Sequence, residues 1–168
     1  MVEDYGAYEG AAVREQLPVY DVTTGSLRVL YGHNAIDIVL DSGTPLFAVT
    51  SGTFYVIDNW TIPGAPRGYA AVVVSDVLSD DSGRPVAFLY GHVREFDALS
   101  GQHVDAGQLV AKSGGGEDDP GRGFSDMPNV HFEVIESDHP LRARAGTVNP
   151  HQFLANLYAY AAACPTGA

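Results

Sequence analysis

The sequence has one cysteine, Cys164, and one lysine, Lys112. A single cysteine cannot form an intramolecular disulfide and cannot build a zinc site from several thiolates. Basic residues are scarce: nine Lys and Arg stand against 21 Asp and Glu, so the net charge is −12. Because nucleic acids and anionic membranes bind basic surfaces, this balance argues against both as partners.

Long apolar runs are also missing, so no segment is predicted to insert into a membrane. The start, "MVEDYGAYEGAAV", lacks the basic and apolar parts of a signal peptide. We therefore expect either that the chain is not secreted in the usual way or that a leader has been removed. Nothing in the sequence indicates an oligomeric state.

Short strands and turns dominate the pattern that is present. The chain has 19 glycines and 10 prolines, which favour turns over long helices. β-Branched runs such as "AIDIVL", "GYAAVVVSDVL", "RPVAFLYGHV" and "NVHFEVIES" end at turn signals and predict strands. A C-terminal helix is predicted to begin near Asn149 and Pro150 and to end before Pro165. The sequence thus predicts one mainly β domain of antiparallel strands with a C-terminal helix.

Three of the histidines have neighbours that suggest chemistry. His33 and Asp37 lie four apart, a spacing that brings both to one metal ion only if the chain bends between them. Asn129 and His131 lie two apart on a predicted strand and should share a face. By contrast His103 and His139 lie in polar segments and His151 lies in the first turn of the predicted helix, and we interpret all three as surface residues.

Spacing alone leaves two interpretations of this set. In one, His33, Asp37 and His131 form the two-histidine, one-carboxylate site of a catalytic zinc, and His92 assists a water or an oxyanion. In the other, His131 is a hydrogen-bonded core histidine and His92 caps a hairpin.

The order of motifs resembles a known family. His33 and Asp37, then "GTPLFAVTSGT", "LYGH", "VHFEV" and "NP" follow one another as in the lysostaphin/LytM-type M23 zinc metallopeptidases. The resemblance runs from about Gly32 to Pro150. It implies the antiparallel β-sheet core of the M23 type, the duplicated hybrid motif, with residues 1–30 as an N-terminal arm and 31–168 as the peptidase domain.

The resemblance also implies a site and a substrate. His33, Asp37 and His131 take the positions of the Zn²⁺ ligands, and His92 takes the position of a catalytic histidine. The family cuts peptide bonds of peptidoglycan, so the expected partner is peptidoglycan or another peptide. The expected location is extracellular or the cell envelope. Tyr90 is expected beneath the site, and loop 114–128 is expected to form one wall of the groove.

One position departs from the family pattern. Asn129 stands where the family has its other catalytic histidine, and an amide cannot accept a proton at neutral pH. Asn129 is expected to bond water or the substrate carbonyl, and Asp126 is a candidate substitute base. Two hypotheses follow: an endopeptidase with attenuated activity, or an inactive peptide- or cell-wall-binding module that keeps the zinc site.

Overall fold

The strands account for nearly all the regular structure in the computed structural model of the chain. It describes residues 17–21, 26–30, 35–60, 66–80, 83–136, 147–148 and 153. For 17–21, 26–30, 136 and 147–148 it describes the backbone alone. Twelve strands lie in these ranges: β1 Leu17–Asp21, β2 Ser26–Leu30, β3 Ile36–Val39, β4 Pro45–Phe47, β5 Gly52–Ile57, β6 Ala70–Ser79, β7 Pro85–Gly91, β8 Val93–Phe96, β9 His103–Val104, β10 Leu109–Ser113, β11 Asn129–Glu136 and β12 Thr147–Val148.

The strands form three antiparallel groups. A seven-stranded sheet has the order β12-β11-β7-β6-β5-β9, and β3 also pairs with β11. A three-stranded sheet has the order β4-β10-β8, and β1 pairs with β2. The fold is therefore the mainly β, antiparallel fold that the sequence predicts.

The main core lies between the seven-stranded and three-stranded sheets. It joins side chains of β7 and β11 with side chains of β4, β8 and β10, among them Phe88, Phe132, Leu46, Val93 and Val110. Successive side chains of a strand point to opposite faces. The other face of the large sheet therefore carries a second buried cluster, which includes Leu89, Ile135 and Trp60.

Tyr90 belongs to the main core. Its hydroxyl donates to the Phe47 carbonyl oxygen and accepts from the Val49 N–H, each at 3.1 Å. Burial raises the pKa of this phenol above its ordinary value. The ring thus packs on the face of the sheet opposite His131 and ties the β4–β5 connection to the core.

The strand predictions agree with the structure. The runs "GYAAVVVSDVL" and "RPVAFLYGHV" are β6 and β7, which pair antiparallel. Of the two short strands that follow β8, β9 pairs with β5, and β10 pairs with β4 and β8. β8 and β12 were not predicted.

The described residues leave two predictions untested. Of the C-terminal helix only Phe153 is described, and it is helical. The division into an arm, 1–30, and a peptidase domain, 31–168, stays a prediction. In the described part of the chain, no helix has the length and apolar character needed to cross a bilayer.

Candidate metal centre

The candidate site lies on the face of the large sheet that carries Trp60. Asn129, His131 and Glu133 alternate along β11 and are all buried. β3 runs antiparallel beside them, and its Asp37 is the direct partner of His131. Strand pairing therefore joins two of the predicted zinc ligands that lie 94 positions apart in the sequence.

His131 is held between two carboxylates. Its Nδ1 lies 3.0 Å from Asp37 Oδ1, and its Nε2 lies 3.0 Å from Glu133 Oε1. Burial by itself lowers the pKa of His131, but the hydrogen bonds with Asp37 and Glu133 outweigh it and raise the pKa above its ordinary value. The two carboxylates thereby fix the plane and direction of the imidazole.

The Asp37–His131 pair has the spacing of two ligands of one ion. Two donors of a tetrahedral zinc, each about 2.0–2.1 Å from it, lie roughly 3.3 Å apart. The observed 3.0 Å therefore needs only a small opening. In the neutral ring that binds a metal, Nε2–H donates a hydrogen bond to Glu133 Oε1, which leaves the lone pair of Nδ1 to face the metal. These two residues fit zinc.

The third predicted ligand, His33, lies outside the described residues. Within them, no group of three His, Cys, Asp or Glu side chains forms a metal cluster. Glu133 does not supply the third ligand, because it contacts the opposite nitrogen of His131. The full ligand set of His33, Asp37 and His131 stays a prediction.

His92 stands at the crossing between the two sheets. β7 ends at Gly91 in the large sheet, and β8 begins at Val93 in the small one. The single residue between them has a φ of 58°, a left-handed conformation that is uncommon outside glycine but enriched in histidine. This sharp bend directs the imidazole toward His131, with 6.0 Å between the ring centroids.

Aromatic rings cover the two histidines. The centroid of Trp60 lies 5.0 Å from that of His92 and 5.2 Å from that of His131. Phe124, from loop 114–128, lies 5.3 Å from His92 and 5.5 Å from Trp60. Loop 114–128 therefore borders the site, as expected of a groove wall.

Gly91 makes room for this arrangement. A Cβ at Gly91 would lie 2.4 Å from Trp60 Cη2 and 3.1 Å from His131 Cβ. We expect Gly91→Ala to lower the free energy of unfolding by about 1–3 kcal/mol, since an added methyl in a packed site forces its neighbours to move. Urea unfolding followed by circular dichroism measures this loss and does not depend on Trp60, the only tryptophan.

The control is a double-mutant cycle with Trp60→Phe. The smaller ring relieves the contact, so Gly91→Ala should destabilise the Trp60→Phe background less than the native one. Strictly additive losses would show that Gly91 does not act through Trp60.

Glu133 is a functional candidate that the sequence interpretation missed. It is fully buried, and within the described residues its Oε2 has no hydrogen-bond partner. The hydrogen bond of its carboxylate in this part of the chain is the one with His131. We expect Glu133→Gln to weaken zinc binding by about 10–100-fold, because partners that orient a ligating histidine have effects of this size. Competition with a chelator measures the affinity.

Glu95→Gln is the matched control for that variant. Glu95 lies on β8 and pairs with Lys112 at the surface, so its amide variant should bind zinc as the native chain does. Equal zinc affinity for Glu133→Gln and Glu95→Gln would contradict a role for Glu133 at the metal.

The side-chain amide of Asn129 is hydrogen-bonded to loop 114–128. Its Nδ2 donates to Ser125 Oγ and to the Met127 carbonyl oxygen, each at 2.8 Å. Both N–H groups are therefore used, and the buried Oδ1 has no hydrogen-bond partner in the described part of the chain. As folded here, Asn129 offers an acceptor, whereas a bond to a substrate carbonyl would need a donor.

The sequence indicated the other residues of the site only weakly. Glu133 follows Asn129 and His131 at the same two-residue spacing, so alternation alone could have placed it on this face. Asp126, the candidate substitute base, is exposed on loop 114–128. Trp60 and Phe124 carry no signal in the sequence that points to the site.

The described fold is thus a set of antiparallel sheets with Asp37, His131 and Glu133 in contact on one face. The chain belongs to peptidase family M23, whose sequence pattern matches residues 31–143. No curated protein sequence matches the chain.

Solved structures share the fold. The catalytic domain of the antimicrobial peptidase lysostaphin from Staphylococcus simulans is 24% identical, with a TM-score of 0.55 over 74% of this chain and 80% of that one. LytU is 21% identical, with a TM-score of 0.59 over 92% and 83%. A zinc-containing peptidase from Vibrio cholerae is 19% identical, with a TM-score of 0.55 over 88% and 34%. This chain spans 44% of the longer lysostaphin chain.

Proposed function

We propose that this chain is a zinc-dependent endopeptidase that hydrolyses peptide bonds of peptidoglycan with attenuated turnover. The observation that carries the proposal is the part-buried Asp37–His131 pair, whose Oδ1 and Nδ1 lie 3.0 Å apart. Membership of family M23 supports a peptidase, and the zinc-containing relative from Vibrio cholerae supports the metal. Such a substrate would place the site of action in the cell envelope or outside the cell.

Each residue of the site has its own role in the proposed hydrolysis. Asp37 and His131, together with the predicted His33, would hold the metal. Bound zinc supplies Lewis-acid polarisation of a carbonyl and activates water for attack near neutral pH. Glu133 holds the ring of His131 in the direction that the ligand role needs.

His92 would move the proton. Its Nδ1 lies 2.7 Å from the Arg122 carbonyl oxygen. A carbonyl oxygen only accepts, so Nδ1 carries the hydrogen and the neutral ring has its lone pair on Nε2. Nε2 can therefore take a proton from the attacking water and, once charged, donate to the oxygen that develops negative charge.

Attenuation follows from position 129. General acid–base assistance contributes about 10²–10⁴-fold to a rate. The amide of Asn129 cannot take a proton, so one such contribution is missing and His92 acts alone.

The experiment is release of new amino termini from purified peptidoglycan by the zinc-loaded full chain. We expect slow release that stops on chelation and returns with added zinc. Release that is indifferent to chelation would contradict the metal mechanism.

A second candidate function is binding without cleavage, favoured by the complete use of the Asn129 N–H groups within the fold. Cosedimentation with peptidoglycan in the absence of new amino termini would support it. Cleavage by an Asn129→His variant alone would show a peptidase site whose chemistry has been lost. Neither binding nor cleavage would reject both functions.

A further inference from the structure

A continuous set of hydrogen bonds connects Asn129 with His92. The Asn129 amide donates to Ser125 Oγ at 2.8 Å. The Ser125 backbone N–H donates to the Arg122 carbonyl oxygen at 3.1 Å. The same oxygen lies 2.7 Å from His92 Nδ1. Position 129 therefore reaches His92 through the segment 122–125.

The direction of each bond is determined by its partners. The Met127 carbonyl oxygen accepts only, so the side of the Asn129 amide that faces it at 2.8 Å is the nitrogen. Ser125 Oγ donates its own hydrogen to the same carbonyl at 2.9 Å and so accepts from Asn129. Asn129, Ser125 and Met127 thus form a closed three-member knot, which we call the 125–129 knot.

The backbone around the 125–129 knot is shaped to hold it. The Asn129 N–H donates to the Gly114 carbonyl oxygen at 3.0 Å. Gly115 has a φ of 92°, and a Cβ there would lie 2.7 Å from the Met127 carbonyl oxygen and 3.1 Å from Ser125 Oγ. Glycine alone tolerates both this positive φ and this close approach, so the backbone at Gly115 accommodates the 125–129 knot.

The segment that the knot holds lies directly against His92. Phe124 places its ring centroid 5.3 Å from that of His92, nearly perpendicular to it at 83°. Arg122 and Gly68 form a backbone bridge beside it, and the Arg122 guanidinium donates to the Ser125 carbonyl oxygen at 3.0 Å. Movement of residues 122–125 would therefore disturb both the Phe124 ring contact of His92 and its hydrogen bond to Arg122.

We propose that Asn129 is a positioning residue for His92, acting through Ser125 and the Arg122 carbonyl oxygen. The knot holds the carbonyl where it keeps the proton of neutral His92 on Nδ1 and the lone pair on Nε2. Position 129 thus supports the remaining histidine and does not itself take part in proton transfer. The positioning stands on the geometry alone, and only its consequence for turnover depends on the proposed function.

The test uses the zinc-loaded full chain and the variants Asn129→Ala and Ser125→Ala. Imidazole ¹⁵N NMR reports which nitrogen of His92 carries the proton, and amide hydrogen exchange reports the Ser125 N–H. In the native chain we expect a protonated Nδ1. Both variants should shift the His92 signals toward a mixture of tautomers and speed exchange at Ser125 by about tenfold, the size of one lost hydrogen bond.

Ser125→Thr keeps the hydroxyl and should restore the native His92 signals. Ser100→Ala is the matched control, because the Ser100 hydroxyl, like that of Ser125, accepts one N–H, here from the Val56 backbone at a surface site; it should leave His92 unchanged. Should Asn129→Ala fail to fold, Ser125→Ala decides alone, since it removes a single oxygen. Unchanged His92 signals in the folded variants would overturn the proposal.

A kinetic arm separates this proposal from the proposed function. If the native chain cleaves peptidoglycan, Ser125→Ala should lower kcat by about tenfold with little change in KM, as for loss of an interaction that acts in the transition state. If the native chain does not cleave, the NMR and exchange results still decide whether Asn129 positions His92. An altered KM with native kcat would count against the proposal.

Discussion

Asp37→Ala is expected to abolish stoichiometric zinc binding and, with it, any release of amino termini from peptidoglycan. Asp37 is the carboxylate that faces His131 Nδ1 at 3.0 Å, and its side chain is only 14% exposed. Three protein ligands are usual for a catalytic zinc, and the loss of one of them leaves two neutral imidazoles. Metal content after dialysis, measured per chain by atomic absorption, is the readout.

The chain offers a close control for this variant. Asp76 and His103 form an aspartate–histidine pair at the same 3.0 Å, but at the surface, with side chains 49% and 59% exposed. Asp76→Ala removes a contact between the same residue types at the same distance and should retain one equivalent of zinc. Asp37→Asn keeps the shape of the side chain and should lose zinc as Asp37→Ala does. One equivalent of zinc in Asp37→Ala would show that the ligand assignment is wrong.

His92→Asn is expected to reduce kcat/KM by about 10²–10⁴-fold, the usual contribution of a general acid–base group. Asparagine tolerates the left-handed backbone that residue 92 adopts. Its amide can also donate to the Arg122 carbonyl oxygen in place of Nδ1. The variant therefore removes the proton-accepting nitrogen and keeps the local structure.

Two measurements make this result specific. Zinc content and the unfolding midpoint should match those of the native chain, because His92 is not an assigned ligand. A variant that keeps zinc, stability and kcat/KM within about threefold of native would remove His92 from the chemistry. The second candidate function, binding alone, predicts unchanged cosedimentation with peptidoglycan for the same variant.

The two expected results address different parts of the site. Asp37 tests whether the paired carboxylate and imidazole hold a metal, and His92 tests whether the neighbouring ring moves a proton. A chain that binds zinc through Asp37 and binds peptidoglycan, but releases no amino termini with or without His92, would be the binding module. Loss of both functions in the respective variants would establish the endopeptidase.

The strand pattern of the sequence predicts much of the fold. Runs of β-branched residues bounded by turns correspond to β3, β5, β6, β7 and β11. The two-residue spacing of Asn129 and His131 places both on one buried face of β11, as alternation requires. These features are local, because the period of a strand depends only on the backbone of that strand.

The sequence by itself determined the class of fold, the family-like order of motifs and the residue types available for chemistry. Only the tertiary structure decided which of them meet. It set Asp37 opposite His131, placed Glu133 behind that ring and brought Arg122 to His92. It also turned Asn129 into the centre of the 125–129 knot. The physical reason is that strand pairing and loop closure join residues distant in sequence, and the sum of packing across the whole sheet selects those partners.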